Sequence, residues 1–353
     1  MKNKSYQTGM TLIEIMIALL IGAFLLGGVL QIFIGSKQTY RMQESLSRLQ
    51  ENGRFALDFL AKDIRMAGFI GCNSGASLTN TTTPLYTPNT LNTSAAGTAN
   101  YFLYNSFDKA IEGFESTSLS AWAPTINPAI TSPLGGSDVI TIRRADNQSF
   151  TVTTHATATA ALTLDTTATP TNLKTAGFLK SDGTNNYATA VVSDCSAAAV
   201  FQVSGIAGTI LSHDIGANAS PCVPCNSTND LGKRYDSGGQ VYPINTISYY
   251  VRTGTGGQPS LYHRVGANDA EELVEGIEQM QILYGVDTDI AGTPGYGSAN
   301  YYVKANNAVA DWPKVVSIRI TLTARTIDGN LTTTGDGRIR RNFTSTIAVR
   351  NRL

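Results

Sequence analysis

The sequence predicts an α+β protein in which one long N-terminal helix packs on a large, antiparallel, β-rich head. Three observations carry that expectation. An uncharged apolar run fills residues 15–30, and an amphipathic helical pattern continues beyond it to residue 67. The rest of the chain then breaks into short β-rich runs separated by turn residues. Strands following strands, with no alternation of strand and helix, point to α+β and away from a parallel α/β sheet.

At 353 residues the chain is long enough to bury a substantial core. Its formal net charge is zero and only 15% of its residues are charged, which argues against a nucleic-acid protein. Apolar residues reach 42%, too many for general disorder. The cysteines Cys72, Cys195, Cys222 and Cys225 form an even set. Together with an export-type N-terminus they read as two disulfides made in an oxidising compartment.

Residues 1–9 are polar and carry Lys2 and Lys4 with no acid. The apolar run that follows extends past Gln31 through Ile32, Phe33 and Ile34. About 20 such residues at about 1.5 Å each cross a hydrocarbon core about 30 Å thick. A secretory apolar region is shorter, about 7–15 residues, and is followed by a small-residue cleavage site. None follows here. The lysines before the span predict a cytoplasmic leader and an exported remainder, although Lys37 and Arg41 beyond it reduce the asymmetry. Glu14 breaks the pattern at the edge of the apolar run. Either it snorkels to the headgroups, or it is a carboxylate kept for a partner's positive charge.

The string Gly9-Met10-Thr11-Leu12-Ile13-Glu14 lies between basic leader and apolar helix and resembles the class III signal of type IV prepilins. The resemblance implies removal of residues 1–9 by a prepilin peptidase and methylation of the new amino terminus on Met10. It also implies that Glu14 pairs with the N-terminal ammonium of an adjacent subunit during assembly. Met10 stands where the family more often has phenylalanine, at a position whose side chain varies. Residues 10–34 are then the transmembrane and assembly helix.

An amphipathic outer helix is expected over 35–71. No proline precedes Pro84, and Leu46, Leu49, Gly53, Ala56, Leu60, Ile64 and Ala67 recur at steps of three or four. Phe55 and Phe59 widen that stripe, Asn52-Gly53 is a candidate bend, and Gly68 or Gly71 is the expected stop. One helix over residues 10–67 would be about 87 Å long. The alternative is two helices separated at Gly35.

The head is expected over 72–353. Residues 73–100 suggest a long surface loop. Strands are expected at Asp138–Arg144, Phe150–Thr154, Val200–Ser204, Thr246–Arg252 and Leu261–Val265. Further strands are expected at Met280–Val286, Tyr301–Ala305, Val315–Thr326 and Asn342–Asn351. Alternation from Val316 to Leu322 implies a half-buried antiparallel strand. The threonine- and alanine-rich residues 155–190 are an edge hairpin or an insertion.

Three further segments extend the resemblance. Leu273-Val274-Glu275-Gly276-Ile277-Glu278 leading into Gln281–Asp287, the terminal Arg341–Asn351, and Arg65-Met66-Ala67-Gly68-Phe69 with Gly71-Cys72 are similar to PilW-like minor pilins. The match covers roughly the first 72 residues and the last 80. A head this large suits a fibre tip better than a subunit repeated along a thin fibre, where each copy must clear its neighbours.

Cys222-Val223-Pro224-Cys225 is the sharpest local motif. A redox-active C-x-x-C would open a helix, whereas the flanking residues here read as loop. A zinc site on all four cysteines is the second alternative. Structural disulfides are preferred, with Cys72–Cys195 and Cys222–Cys225 the first choice among three pairings. His155, His213 and His263 stand singly, without metal-ligand spacing, and read as ordinary polar or half-buried side chains. Asp287, Asp289 and Asp336 lack an EF-hand pattern and read as solvated turn residues. Gly254-Thr255-Gly256-Gly257 precedes Gln258-Pro259 and is a turn, not a phosphate cradle. Neither a catalytic constellation nor a cofactor is expected.

The resemblance therefore implies a minor pilin of a type IV pilus, a structural subunit of a tip or priming complex that presents an adhesin. Its expected partners are other minor pilins, the major pilin, the prepilin peptidase, the inner-membrane assembly platform and a tip adhesin. Its expected location is the inner membrane, with the head in the periplasm, and then the fibre. The alternatives are a minor pseudopilin of a type II secretion system and an adhesive or DNA-binding tip module. For DNA the only dense basic run is Arg338, Arg340, Arg341, Arg350 and Arg352.

Overall fold

A computed structural model describes residues 9–72, 86–87, 98–104, 107, 109–179, 188–215, 225–236 and 238–352. The chain divides into two compact units, Met1–Glu51 with Thr326–Ile339, and Asn52–Arg325 with Arg340–Leu353.

Helix α1 runs unbroken over the 55 residues Leu12–Met66, about 83 Å at 1.5 Å per residue. Gly35 does not interrupt it, since nothing there removes a backbone donor or forces a non-helical φ. It ends where Gly68 takes φ +75° and donates its N–H to Arg143 O at 2.9 Å. In the first unit, Ser45 Oγ donates to Asp328 Oδ2 at 3.1 Å. The segment 326–339 closes on itself through Thr326 N–H to Ile339 O and Leu331 N–H to Gly337 O.

Among the described residues, the second unit holds the rest of α1, two sheets and the short α-helices α2 (Ala99–Tyr104), α3 (Pro170–Thr175) and α4 (Ala305–Ala308). The strands come in order as β1 (Tyr86–Thr87), β2 (Ile111–Ser116), β3 (Trp122–Ala123), β4 (Val139–Ala145) and β5 (Phe150–Thr154). Then follow β6 (Leu162–Leu164), β7 (Thr189–Ser193), β8 (Ala198–Gln202), β9 (Gly205–Ala207) and β10 (Ile210–Ser212). The last seven are β11 (Gln240–Thr253), β12 (Pro259–Val265), β13 (Glu271–Glu275), β14 (Ile277–Val286), β15 (Tyr301–Val303), β16 (Val315–Arg325) and β17 (Arg340–Ala348).

The larger sheet has 13 strands and is organised by β11, whose 14 residues are buried along most of their length. The first residues of β11 pair with β5 and β7, and its later ones with β4 and β12. Everything from β5 to β10 is thus inserted between β4 and β11. That insertion has its own core, built from Phe150, Leu164, Leu173, Phe178, Phe201 and Tyr235 among others. Within it α3 starts on local chemistry. The Thr169 hydroxyl caps Asn172 N at 3.2 Å, and Pro170 supplies a preset φ at the first helical position. The threonine- and alanine-rich segment therefore lies in an insertion; its residues 180–187 are outside the described ones.

The smaller sheet is antiparallel, in the order β15-β14-β16-β17. Alternation along β16 holds: Ile318, Ile320 and Leu322 are fully buried while Arg319 is exposed.

Some boundaries differ from expectation. The strand expected to reach Ala305 stops at Val303, and α4 begins at Ala305. The final strand starts two residues earlier, at Arg340, and gives way to a 3-10 turn at Arg350–Arg352. Strands β7 and β8 are buried on both faces and lack alternation, so period-2 patterning finds the first not at all and the second with a shifted boundary. Most of the loop expected over 73–100 lies outside the described residues, apart from β1 and the start of α2.

Candidate functional site

The N-terminal segment presents Gly9 and Met10 exposed, ahead of the first turn of α1. Thr11 caps that turn. Its backbone N–H and its hydroxyl both donate to Glu14 Oε2 at 3.0 Å, and Glu14 N–H faces Thr11 Oγ1 at 3.4 Å. This is a capping box, with threonine at the cap and glutamate three residues on. The sequence reading missed it, although Thr11-x-x-Glu14 spells it out. Glu14 is therefore held within its own chain at the point where the apolar helix begins. From Leu12 to Ile34 the large apolar side chains are exposed, Leu12 at 78% and Ile32 at 71%. This helix is long and apolar enough to cross a membrane.

The outer end of α1 is joined to the large sheet by a buried polar hub. Asp63 Oδ1 accepts from Arg144 Nη2 at 2.8 Å and from Nε at 3.1 Å. Asp63 Oδ2 accepts from Tyr249 Oη at 2.7 Å. Burial, with the Asp63 charge added to it, raises the Tyr249 phenol above its ordinary range. Next to Arg144 on β4, Arg143 is 2% exposed, pairs with Glu112 at 2.9 Å and lies over the Phe102 ring. The helix end is also tied covalently. Cys72 is bonded to Cys195, 123 residues away in sequence, as preferred. Cys225 is disulfide-bonded too; its expected partner Cys222 lies outside the described residues.

A third polar junction joins the two sheets. Asp138, just before β4, accepts from Ser116 N at 2.9 Å and from Ile282 N at 2.9 Å. Burial pushes its carboxyl up to about 6 against those two donors, with the Glu115 charge adding to the rise and Lys304 opposing it.

Several candidate residues are placed differently from expectation. His155 and His213 are fully buried and adjacent rather than solitary, with ring centroids 6.2 Å apart. The insertion folds β5 and β10 around one core, which no spacing in the sequence reveals. His263 sits 3.1 Å from Glu271. Asp287 is buried, not solvated, because its carboxylate accepts Asp289 N at 2.8 Å and Gly297 N at 2.6 Å to close a loop. Gly254–Gly257 does form the turn between β11 and β12. Among the described residues no group of three or more histidine, cysteine or acidic side chains is arranged to hold a metal ion. In the basic run, Arg338 gives its guanidinium to the Thr326 and Ile327 carbonyls. Arg340 gives its own to Glu278 at 2.7 Å. Both are committed to internal contacts, which removes two members of the face that DNA would need.

Comparison with known proteins bears on both ends of the chain. Residues 248–351 match the family model described as Type IV Pilus-assembly protein W. Residues 4–30 match the prokaryotic N-terminal methylation motif. No curated protein and no solved structure matches the chain. The first match begins inside β11 and covers the whole smaller sheet. The inserted module lies outside it.

Proposed function

We propose that the chain is a PilW-like minor pilin of the type IV pilus kind, anchored in the inner membrane before it enters the pilus, as the two matched segments support, and that it serves in a tip or priming complex. The observation that carries this is the bulk of the head. A module with its own core interrupts the large sheet between β4 and β11. A subunit repeated along a thin fibre must clear identical neighbours at every step, and a subunit at the end need not.

In this reading the prepilin peptidase cuts after Gly9 and the freed, methylated amine of Met10 becomes the mature terminus. Glu14 then offers that terminus of a neighbouring subunit a carboxylate at the membrane edge. Pairing there offsets part of the cost of holding either charge in an apolar surrounding. The Thr11 bonds keep the carboxylate satisfied in the unassembled chain, so assembly exchanges one set of partners for another. Residues 10–34 act first as membrane span and then as packing helix. Residues 35–71 and the head from residue 72 face the periplasm. Partners in this role are the major pilin, other minor pilins, the assembly platform and a protein displayed at the tip.

The test is to label the head in cells that retain their pili and locate it on sheared fibres. Label confined to fibre ends, with loss of pili on deletion of the chain, is the expected result. Label spaced regularly along the fibre would overturn the proposal.

A further inference from the structure

The buried histidine pair of the inserted module carries its own chemistry. His155 follows β5 and His213 follows β10; they are 0% and 2% exposed. Their hydrogen bonds assign their protons. The Tyr235 backbone N–H donates to His155 Nδ1 at 2.9 Å, so that nitrogen bears a lone pair and the neutral ring keeps its proton on Nε2. His213 Nε2 lies 2.7 Å from the Ala160 carbonyl oxygen, which can only accept, so Nε2 carries a proton. Among the described residues, His155 Nε2, His213 Nδ1 and Tyr235 Oη are buried without a hydrogen-bond partner. The His155 ring is therefore neutral by geometry.

The bond from Tyr235 holds down a strap. Residues 226–236 contain no helix and no extended strand, yet they cover the module's core with Leu231 and Tyr235, both fully buried. The Asn226 amide fastens one end, accepting from Gln202 N at 2.8 Å and donating to Gln202 O at 2.7 Å. In the middle, Leu231 N–H donates to Ala158 O at 2.9 Å and Lys233 Nζ pairs with Asp194 at 2.6 Å. The other end depends on His155, whose carbonyl accepts Arg234 Nε at 3.0 Å and whose ring accepts Tyr235 N–H.

We propose that protonation of His155 releases this strap, so that the inserted module opens its core in acid while the remaining strands stay folded. A proton on Nδ1 would face the Tyr235 N–H, donor against donor, and would leave a cation in an apolar core. Among the described residues, these ionisable groups face the pair. Arg234 and the neighbouring His213 oppose a charge on His155, and Asp236 favours it. Asp214 favours a charge on His213. Lys233 is held by Asp194, and Tyr235 stays neutral because burial raises its phenol. Burial leads for both rings and depresses both below the ordinary imidazole value. Depressed imidazoles stabilise the fold fully above that value, and the contribution is lost as pH falls below it.

The test is amide hydrogen exchange on the full chain in detergent micelles, at about pH 7.5 and about pH 5, corrected for intrinsic rates. The expected result is roughly tenfold or greater loss of protection at Leu231 and Tyr235 in acid, with Ile320 and Leu322 of β16 unchanged. His155→Gln retains an acceptor for the Tyr235 N–H and takes up no proton, so its strap should stay protected at both pH values. Unchanged protection in the native chain, or an equal loss in His155→Gln, would overturn the proposal. Should that variant fail to fold, the native imidazole titration decides. His155 protonating in step with the loss of Tyr235 protection supports release. His155 protonating while those amides stay protected refutes it.

Discussion

Asp63 on α1 and Tyr249 on β11 share a 2.7 Å hydrogen bond inside the interface between the outer helix and the large sheet. The same carboxylate holds Arg144, and the side chains of both charged partners are only 10% exposed. Replacing Asp63 with alanine strands a buried guanidinium and a buried phenol together. Removing one member of a buried pair costs about 3–5 kcal/mol. Denaturant unfolding of Asp63→Ala in detergent should show a loss of that size. A companion Asp63→Asn, which keeps an acceptor, should lose less. Equal stability of Asp63→Ala and the native chain would show that the hub does not hold the helix down.

Gly53 lies in the buried stripe of α1 because the Phe343 ring of β17 occupies the space where a Cβ would stand. Gly53→Ala should therefore destabilise, against helix propensity, by about 1–3 kcal/mol from overpacking. Gly53→Ala combined with Phe343→Ala should recover part of that loss relative to the sum of the single changes. A double-mutant cycle of unfolding free energies reads the coupling directly, and strict additivity would refute the contact.

The junction at Asp138 predicts a pH dependence of opposite sign to that of the histidines. A carboxyl raised to about 6 by burial binds its proton more tightly in the folded chain than in the unfolded one. Its contribution is full below the ordinary aspartate value. It falls as pH rises through the window up to about 6 and is flat above. The change is on the order of 2–3 kcal/mol. Asp138→Asn should flatten this slope in pH-resolved thermal melts. A slope that persists in the variant would assign it elsewhere.

At the N-terminus, Gly9 and Glu14 should fail at different steps. Gly9→Val should leave the leader attached, seen as a heavier band on immunoblots of membranes. Glu14→Gln should be cleaved and membrane-inserted yet missing from sheared pili. Thr11→Val removes the hydroxyl from the capping box while sparing the cleavage site, so it should be processed normally. Normal piliation by Glu14→Gln would remove the carboxylate from the assembly step.

The N-terminal half of this architecture was open to inspection in the residues. An uncharged span, a following stripe at steps of three or four and the absence of proline before Pro84 suffice for a continuous helix, because each is a local property of consecutive residues. The strands with clear patterning, β5 and β16 above all, were equally visible. The short strands β6, β9 and β10 were not, since three residues hold too little pattern to stand out. Glu14 was legible as an anomaly in an apolar run, and Thr11, three residues before it, spells the capping box that holds its carboxylate.

By itself, then, the sequence determined the membrane-length helix, the amphipathic continuation and the β-rich class of the head. These depend on contacts between near neighbours and on the solvent each face requires. Tertiary structure alone decided that Asp63 meets Arg144 and Tyr249, that Phe343 lies against Gly53, and that β11 is shared between the main sheet and an insertion. It also brought His155 and His213 into one core. Each of those pairings joins residues far apart along the chain, where burial selects the partner and no local period records the choice.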